Sequence, residues 1–442
     1  MPDWIGHVVW WHVYPLGFVG AEGAAGGGGG VTHRLARIVE WLDYAVQLGV
    51  SGIALGPIFA SMTHGYDTVD HFRIDPRLGD DDDFDRLVSA AHERGLRLLL
   101  DGVFNHVGPE FPPFARTIEE GASAPGSHWF SPLDPAAEGR TSGPAFRTFE
   151  GHEGLIALNH DEPTVADYVT DVMRHWLARG ADGWRLDAAY AVPRAFWAQV
   201  VPRVRADFPD AYVVGEVIHG DYSAIVSESG LDAVTQYELW KAIWSSLNDA
   251  NFHELAWALK RHNALLDTFV PLTFVGNHDV TRLASKLDDE RHLGHALVVL
   301  LTVAGTPSVY YGDEQAFRGV KEDRVGGDDA IRPSFPPDGP GALAPYGWPV
   351  YRLHQQLIGL RRRHPWLHGA AVRPIHLTNT ALVYESVAGE DRLVTVLNIG
   401  DAPVSAAAPA GVAVLAGSAT IHANGPGATN MTVAGHEWAI VG

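Results

Sequence analysis

The segment Gly183-Trp-Arg-Leu-Asp-Ala188 decides the fold, and three further segments along the chain share its pattern. In each, a polar residue that would be costly to bury alone follows an apolar run typical of a buried strand. Side chains of this kind are kept for chemistry or because they pair with one another. The other segments are Asp101-Gly-Val-Phe-Asn-His106, Val214-Gly-Glu216 and Phe274-Val-Gly-Asn-His-Asp279.

Around these segments, strand-like runs alternate with helical ones. Eight strands, each followed by a helix, fit an α/β fold of the (β/α)8 TIM barrel type better than an open sheet. The polar residues fall at the carboxyl ends of strands three, four, five and seven, where such barrels carry their active sites. The predicted strands are 8–14, 52–58, 96–101, 183–187, 211–216, 233–237, 272–276 and 308–311, and the predicted helices are 34–48, 82–93, 163–178, 193–208, 254–266 and 292–303.

Two regions interrupt this alternation and predict further domains. Residues 107–160 are rich in Pro, Gly and Ser and predict a small, loop-rich domain inserted after strand three, forming one wall of a cleft. Residues 371–442 show short alternating strands between turn residues and predict a C-terminal antiparallel β-sandwich. The catalytic barrel is then predicted over 1–106 and 161–368. The glycine run at 26–30 is interpreted as a flexible rim loop, with phosphate binding as a weaker alternative.

The composition excludes several classes of function. The chain has 32 Lys and Arg against 53 Asp and Glu, a net charge of −21, which disfavours nucleic acids and anionic membranes as partners. The absence of cysteine excludes disulfides and thiolate chemistry. No apolar stretch approaches the ~18 residues that span a membrane. Because the N-terminus lacks a signal-peptide pattern, we expect a cytoplasmic protein, with secretion as the alternative.

Asp187 and Glu216 follow neighbouring barrel strands. Adjacent strands lie about 4.8 Å apart, so the two carboxyl groups can come within roughly 5–6 Å, as in retaining glycosidases. Two carboxyl groups this close push their pKa values apart, so one stays charged while the other holds a proton. Arg185 shares a strand face with Asp187 and would keep it ionised. The alternative, a buried Arg–Asp pair that only closes a barrel layer, is disfavoured by Glu216 and Asp279 at matching strand ends.

Histidines and aromatic residues near these strand ends predict sugar binding. His106 and His278 each follow an asparagine and could donate hydrogen bonds to hydroxyl groups. Zinc ligation is the alternative, but no zinc-binding spacing accompanies them, so no metal site is predicted. Tyr66 could stack beneath a sugar ring. The further residues predicted at the mouth are Asp67, Trp11, Tyr14 and the pair Trp129-Phe130.

The four segments resemble, in their order, those of the α-amylase superfamily, glycoside hydrolase family 13. The resemblance extends from about Trp10 to Leu367 and includes Leu155-Ile-Ala-Leu-Asn159, Trp11-His-Val-Tyr-Pro15 and Gly312-Asp-Glu314. It implies a nucleophile, a general acid/base and a third carboxylate that binds sugar hydroxyls. It also implies an arginine that orients the nucleophile, two histidines that bind hydroxyls and a stacking tyrosine. The implied nucleophile is Asp187, the general acid/base is Glu216 and the third carboxylate is Asp279. The implied orienting arginine is Arg185, the two histidines are His106 and His278, and the stacking tyrosine is Tyr66.

The sequence also departs from the family. Ala189-Tyr190 stand where many amylases carry Lys-His, so a usual sugar contact is absent. Asn105 has the position of a calcium ligand, but part of the remaining ligand set is not recognisable, so no cofactor is expected and calcium is doubtful. Ala188 stands where relatives that prefer α-1,6 bonds tend to carry valine, which favours α-1,4 cleavage.

The resemblance implies hydrolysis of α-1,4 bonds in short or cyclic maltooligosaccharides, as in intracellular cyclomaltodextrinases and hydrolases of cyclic maltosyl-maltose. The expected partner is an oligosaccharide or cyclic glucan, without nucleic acid or membrane, and a homodimer is compatible with the sequence. Transglycosylation through the same glycosyl-enzyme is the main alternative, because water and sugar compete for one intermediate. A non-catalytic binding role is a third reading, disfavoured by the three carboxylates.

Overall fold

Eight parallel strands, β1 to β8 in chain order, form the centre of the computed structural model, which describes residues 2–21, 30–133, 145–324, 326–408, 411–423 and 429–442. Each strand pairs with its neighbours in sequence, and a bridge between Thr235 and Leu272 joins the sixth strand to the seventh. This ring confirms the predicted (β/α)8 barrel. The strands are β1 Trp10–Val13, β2 Gly52–Leu55, β3 Arg97–Gly102, β4 Gly183–Leu186, β5 Tyr212–Gly215, β6 Ala233–Val234, β7 Leu272–Phe274 and β8 Thr306–Tyr310.

Helices surround the barrel and cover the outer faces of its strands, as the apolar strand runs require. The helix predicted over 34–48 is two helices, because the N–H of Trp41 bonds three residues back to the carbonyl of Ile38 and interrupts the α-helical ladder. Among the described residues no helix is both long enough and apolar enough to cross a membrane. The α-helices are Pro15–Phe18, Leu35–Val39, Leu42–Leu48, Asp81–Glu93, Pro112–Glu120, Pro163–Ala178, Arg194–Asp207, Tyr222–Ser229, Tyr237–Asn248, Phe252–Leu265, Leu283–Lys286, Leu293–Thr302 and Trp348–Arg363.

Between β3 and the helix Pro163–Ala178 the chain leaves the barrel. The strand His106–Val107 pairs antiparallel with Ile156–Ala157, so the start and the end of this excursion lie side by side. A second ribbon pairs Pro132–Leu133 with Ala145–Phe146. Another hairpin, Phe59–Ser61 with Thr68–Ile74, follows β2. The domain boundaries at 107 and 160 stay a prediction, and residues 22–29, which hold most of the predicted glycine rim loop, lie outside the described part of the chain.

Two antiparallel sheets form the C-terminal region. One has five strands in the order β9-β10-β11-β16-β13, and the other has three in the order β12-β15-β14. A cluster of buried valines, with Met431 and Ala439, lies between them and confirms the predicted sandwich. The strands are β9 Ala371–Leu377, β10 Ala381–Ala388, β11 Asp391–Asn398, β12 Val404–Ala408, β13 Val414–Gly417, β14 Thr420–Ala423, β15 Thr429–Val433 and β16 Trp438–Val441.

Candidate active site

The polar residues of the four segments meet at the carboxyl end of the barrel. Asp187 directly follows β4, Glu216 directly follows β5, and Asp279 lies a few residues beyond β7. Asp101 in β3 is the register partner of Arg185 in β4, so their side chains project from adjacent strands at one level. A cleft of about 590 Å³ opens over these strand ends and is lined by all three of the predicted catalytic carboxylates.

Arg185 joins the acidic residues through its guanidinium group. Nη1 donates to both oxygens of Asp101 at 2.7 Å and to Oδ1 of Asp187 at 3.2 Å. Nη2 lies 2.7 Å from Oε1 of Glu216. The arginine side chain is only 12% exposed, so this network is well removed from water. One buried cation therefore contacts both carboxylates that the sequence singled out as the catalytic pair.

Burial dominates the protonation of the carboxyl groups around this cation. Burial raises the pKa of Asp187 well above its ordinary range, the charges of Glu216 and Asp101 act in the same direction, and Arg185 opposes them. Burial also raises the pKa of Asp101 to about 6, although Arg185 and a hydrogen bond from Tyr66 act against it. Because Asp101 and Asp187 share the guanidinium of Arg185, the protonation of one of these two carboxyl groups affects that of the other.

Glu216 is held on both of its oxygens. Oε1 accepts a hydrogen bond from the hydroxyl of Tyr237 at 3.0 Å, and Oε2 accepts one from the backbone N–H of Ala188 at 3.0 Å. Ala188 has φ of +45°, in the left-handed region that residues with a side chain rarely adopt. The Tyr237 hydroxyl in turn accepts from Nδ2 of Asn277 at 2.9 Å. Sequence analysis missed Tyr237, which it assigned to the end of a strand.

His278 lies in an aromatic stack beneath the cleft. Its ring is nearly parallel to those of Tyr14 and Tyr66, with centroid separations of 5.7 and 5.5 Å. Nε2 lies 3.0 Å from Oδ2 of Asp279 and also hydrogen bonds with the Tyr66 hydroxyl. Burial lowers the pKa of His278 far below its ordinary value, so the ring is neutral in this setting. The predicted histidine and the predicted third carboxylate are therefore brought together.

Arg332, which sequence analysis did not identify, holds Asp279 from the other side. Its Nη2 donates to Oδ1 of Asp279 at 3.2 Å and lies 2.9 Å from Oδ2 of Asp328. Its Nε donates to the backbone carbonyl of His278 at 3.0 Å, and its guanidinium lies 4.5 Å from the ring centre of Tyr14. Arg332 lies in the long segment after β8, where no periodicity or motif marks a functional residue.

His106 lines the cleft next to the inserted region. Its ring stacks on Phe149 of the inserted region at 4.9 Å between centroids, and its Nδ1 lies 3.0 Å from Nδ2 of Asn105. Burial lowers the pKa of His106 to about 3, so it is a neutral donor or acceptor near neutral pH. Tyr66 also lines the cleft, as the sequence predicted, and contacts Asp101.

Two aromatic groups predicted at the mouth lie elsewhere. Trp11 is fully buried, and its ring packs edge-on against Phe18 at 5.7 Å. Successive residues of a strand face opposite sides, so Trp11 faces the surrounding helices while His12 faces the barrel interior. Trp129 donates its ring N–H to Thr164 at 2.8 Å and belongs to the packing of the inserted region.

Tyr14 and Asp67 support the cleft from below rather than lining it. Tyr14 is fully buried, stacks under His278 and donates its hydroxyl to the carbonyl of His64 at 2.7 Å. Asp67 accepts hydrogen bonds from the backbone N–H of Thr63 at 3.0 Å and from its hydroxyl at 2.6 Å. It therefore closes the turn that carries Tyr66, and the expected sugar contact is replaced by a local structural one.

The tip of the inserted region reaches across the cleft to the turn after β4. The hydroxyl of Tyr190 donates to Oε1 of Glu150 at 2.8 Å. Glu150 has φ of +49°, which is strained for a residue with a side chain. Phe149, Glu150 and Tyr190 line both the catalytic cleft and a neighbouring cavity of about 510 Å³, so they form the wall between the two.

That no calcium is bound at Asn105 stays a prediction, and two features of the site favour it. Calcium takes six to eight oxygen ligands, mostly carboxylates and carbonyls. The Nδ2 of Asn105 contacts His106, and the cavity beside it includes the cationic Arg147. In the part of the chain that the structure describes, the two places where three histidine or carboxylate ligand atoms converge lie away from Asn105. No catalytic step is therefore derived through a metal ion.

Comparison with known proteins agrees with this geometry. The family described as "Alpha amylase, catalytic domain" matches residues 12–336. A cyclomaltodextrinase from Bacillus sp is 33% identical over 342 residues, which are 75% of this chain and 59% of that protein. The chain thus spans less than two thirds of that relative.

Solved structures match along nearly the whole chain. The native debranching enzyme of Nostoc punctiforme matches with a TM-score of 0.84 and 26% identity, covering 100% of this chain and 99% of that one. The ligand-free cyclic α-maltosyl-(1→6)-maltose hydrolase of Arthrobacter globiformis has the same fold, with a TM-score of 0.82, 24% identity and 99% coverage of both chains. With its four strand-end segments gathered in one cleft and the catalytic-domain match extending from residue 12 to residue 336, the chain belongs to the α-amylase family.

Proposed function

We propose that this protein is a retaining α-glucoside hydrolase that cleaves α-1,4 bonds of short or cyclic maltooligosaccharides by double displacement. The observation that carries the proposal is the contact of one guanidinium, that of Arg185, with both Asp187 and Glu216 at the floor of a cleft. This contact keeps the two carboxyl groups close together, as a nucleophile and an acid/base must be to act on the same bond.

The first step needs Asp187 in its ionised form, which the Arg185 cation favours and burial opposes. A carboxylate oxygen of Asp187 attacks the anomeric carbon while Glu216 gives a proton to the departing glycosidic oxygen. The bond to the leaving sugar breaks and an ester to Asp187 forms. In the second step, Glu216 takes a proton from water, whose oxygen attacks the same carbon and releases Asp187. Arg185 already contacts Oδ1 of Asp187 at 3.2 Å, which leaves Oδ2 outside that contact as the attacking atom.

Asp279 is proposed to bind hydroxyls of the reacting sugar. Its side chain is 33% exposed to the cleft, while Arg332 and His278 fix both of its oxygens. A carboxylate held on its protein side keeps its remaining lone pairs for sugar hydroxyls, and such bonds strengthen as the ring approaches the transition state. His106 and Tyr66 line the same cleft and are proposed to contact the sugar as well.

The substrate class follows from the size of the cleft and from the relatives. A volume of about 590 Å³ lies within the range of small-molecule pockets, about 300–1,000 Å³, and suits a few sugar rings rather than a long polymer. One relative is named a cyclomaltodextrinase, whereas a solved neighbour is named a debranching enzyme. We favour α-1,4 cleavage because Ala188 follows the nucleophile, and a substrate panel must include both linkages.

The substrate test uses maltotriose, β-cyclodextrin and panose, which contains one α-1,4 and one α-1,6 bond. We expect α-1,4 cleavage with the α-anomer formed first, as seen by ¹H NMR before mutarotation. An initial β-anomer would contradict retention. Cleavage of the α-1,4 bond of panose releases isomaltose, so a failure to release isomaltose would contradict α-1,4 cleavage. Longer or re-linked oligosaccharides that precede free glucose or maltose would assign transglycosylation instead. Dialysis against a calcium chelator should leave the rate unchanged.

Azide separates the roles of the two carboxylates. With an activated α-glucosyl substrate, Glu216→Ala should be rescued by azide to give the α-glucosyl azide, because the ester to Asp187 still forms. Asp187→Ala should give the β-glucosyl azide by direct displacement. The exposed Asp267→Asn is the control and should keep full activity. Exchanged stereochemistry between the two variants would reverse the assignment.

The homodimer stays a prediction. Light scattering on the protein as it elutes from a size-exclusion column tests it.

A further inference from the structure

Three metal-ligand side chains meet away from the cleft, where the barrel contacts the C-terminal sheets. Asp289 and His292 precede the helix Leu293–Thr302, and His436 lies in the turn between β15 and β16. Nε2 of His292 lies 3.1 Å from Nδ1 of His436 and 3.9 Å from Oδ2 of Asp289. All three ligand atoms lie within 4.8 Å of one another. Nothing in the proposed hydrolysis uses these residues.

We propose that His292, His436 and Asp289 bind one divalent transition-metal ion, for which zinc is the best fit. Two imidazoles and one carboxylate, with water in the fourth position, are a common zinc ligand set. Zn–N and Zn–O bonds of about 2.0–2.2 Å in a tetrahedron place the ligand atoms roughly 3.3–3.5 Å apart. The two nitrogens already stand at 3.1 Å, and the carboxylate oxygen Oδ2 of Asp289 lies 3.9 Å from Nε2 of His292.

The surroundings of His436 orient it as a ligand. Its Nε2 lies 2.9 Å from Oδ1 of Asp401. A carboxylate can only accept, so Nε2 carries the hydrogen and Nδ1 presents its lone pair to His292. A carboxylate behind a histidine in this way is typical of metal-ligating imidazoles. His436 also has φ of +58°, a strained conformation for a residue with a side chain.

His292 supplies the second nitrogen from a buried position. Its side chain is 8% exposed, and its ring lies nearly parallel to that of His436, 5.4 Å away. Without metal, Nε2 of His292 donates its hydrogen to Nδ1 of His436. When metal binds, that hydrogen moves to Nδ1 of the same His292 ring, so both rings stay neutral and each gives one lone pair to the ion.

Arg291 is the competing cation at this position. Its guanidinium contacts both oxygens of Asp289, the shortest contact being 2.6 Å from Nη2 to Oδ2. The arginine side chain is 57% exposed, and exposed ion pairs contribute only about 0–1 kcal/mol. A carboxylate also has about four lone-pair positions, so the arginine and a metal ion can share it. Arg291 should therefore weaken metal binding without preventing it.

The consequence of binding is a link between two separate parts of the molecule. The segment that holds Asp289 and His292 belongs to the barrel, whereas His436 belongs to the C-terminal sandwich. An ion bound only by the folded chain stabilises it in proportion to the logarithm of its concentration above Kd. Zinc should therefore raise the unfolding temperature of the chain without acting on the catalytic cleft.

The test is titration of chelator-treated protein with Co²⁺, followed by visible absorption and calorimetry, and then with Zn²⁺. We expect one ion per chain with the intense bands of tetrahedral Co²⁺, and loss of binding in His292→Gln and in His436→Gln. His422→Gln, on the exposed face of β14, is the control and should bind like the parent. Arg291→Ala should bind at least three-fold more tightly.

Asp401→Asn tests the site without touching a ligand or the buried core. It should weaken binding about ten-fold or more, as loss of a carboxylate behind a metal-bound histidine does. Zinc should raise the unfolding temperature of the parent and of His422→Gln but not of His436→Gln. Absence of Co²⁺ binding in the parent would overturn the proposal. So would binding that survives both histidine substitutions, or binding that is lost in His33→Gln, whose ring lies in another acidic cluster.

Discussion

Tyr237 links the ends of two strands through one hydroxyl group. It accepts a hydrogen bond from Asn277 at 2.9 Å and donates one to Glu216 at 3.0 Å, so its proton is committed to the carboxylate. Burial raises the pKa of Tyr237 well above its ordinary range, with the Glu216 charge acting in the same direction, so the phenol stays protonated. The orientation of the proposed acid/base therefore depends on a residue that need not touch the substrate.

Tyr237→Phe should lower kcat/KM for maltotriose by about ten-fold or more, because Glu216 loses one of the two groups that fix its Oε1 and keeps only Arg185 there. The Asn277 amide loses its acceptor as well, and we expect the free energy of unfolding to fall by about 1–3 kcal/mol. Steady-state kinetics and urea unfolding measure the two effects. Tyr346→Phe, at a residue that is 63% exposed, is the control. Parent-like kinetics in Tyr237→Phe would show that this hydroxyl does not position Glu216.

Individual site residues differ in how far the sequence could predict them. Asp187 and Glu216 directly follow their strands, so strand pairing alone brings them together in the cleft. Trp11 lies in the predicted strand, but its side chain faces the helices rather than the barrel interior. In an apolar run the sequence does not show which residues face inward and which face outward. Arg332 reaches Asp279 from a segment without periodicity, and only the folded chain shows that contact.

At the scale of elements, the tip of the inserted region and the turn after β4 close one end of the cleft. A hydrogen bond from Tyr190 to Glu150 and a ring contact between Tyr190 and Phe149 join them, and Glu150 has a left-handed conformation that costs of order 1–3 kcal/mol. An exposed hydrogen bond contributes about 0.5–1.5 kcal/mol, so the two opposing terms are similar in size. This hydrogen bond therefore adds little net free energy beyond the ring contacts of Phe149 with His106 and Tyr190.

Removing that bond should favour longer substrates. Tyr190→Phe removes the hydrogen bond between Tyr190 and Glu150. We expect the ratio of kcat/KM for maltoheptaose to that for maltotriose to rise at least three-fold. Glu150→Gln keeps an acceptor oxygen for the hydroxyl and should change the ratio less, which makes it the matched variant. A proportional change for both substrates would mean that the contact affects catalysis generally and does not set chain length.

The boundary of β6 shows why short elements resist prediction. The sequence predicts a strand over 233–237, whereas the strand is Ala233–Val234 and a helix begins at Tyr237. The side chain of Gln236 accepts a hydrogen bond from the N–H of Leu239 at 3.2 Å and so starts the helix. A segment of five residues such as 233–237 fits the periodicity of a strand and that of a helix equally well. The hydrogen bond from the side chain of Gln236 decides where the helix begins. The longer helix Pro163–Ala178 has the predicted bounds because its periodicity extends over several turns.

For the molecule as a whole, buried neutral histidines set the response to acid. Burial lowers the pKa of seven of them to about 3 or 4, so the folded chain binds fewer protons than the unfolded chain between that pH and the ordinary value of 6.5. The contribution of these histidines to the free energy of unfolding is then complete above pH 6.5, and it is lost as the pH falls towards 4 or 3. Burial raises the pKa of Asp101 and of Asp313 to about 6, that of Glu314 to about 7 and that of Asp187 well above its ordinary range, which acts in the opposite sense. The histidines are His12, His71, His106, His262, His295, His354 and His368.

His262 isolates one of these contributions. It lies in the helix Phe252–Leu265, fully buried, and its Nε2 bonds to the carbonyl of Ala304 at 3.0 Å. Burial lowers its pKa to about 4, so its charging in the unfolded chain alone should cost about 2 kcal/mol of stability between pH 7.5 and pH 5. Glutamine keeps an N–H donor for the carbonyl of Ala304 but does not titrate. Urea unfolding of His262→Gln should therefore show a loss between these pH values that is smaller than the parent's by that amount. His253→Gln, on the exposed face of the same helix, should lose as much as the parent. Equal losses in all three proteins would mean that His262 already carries a proton in the folded chain.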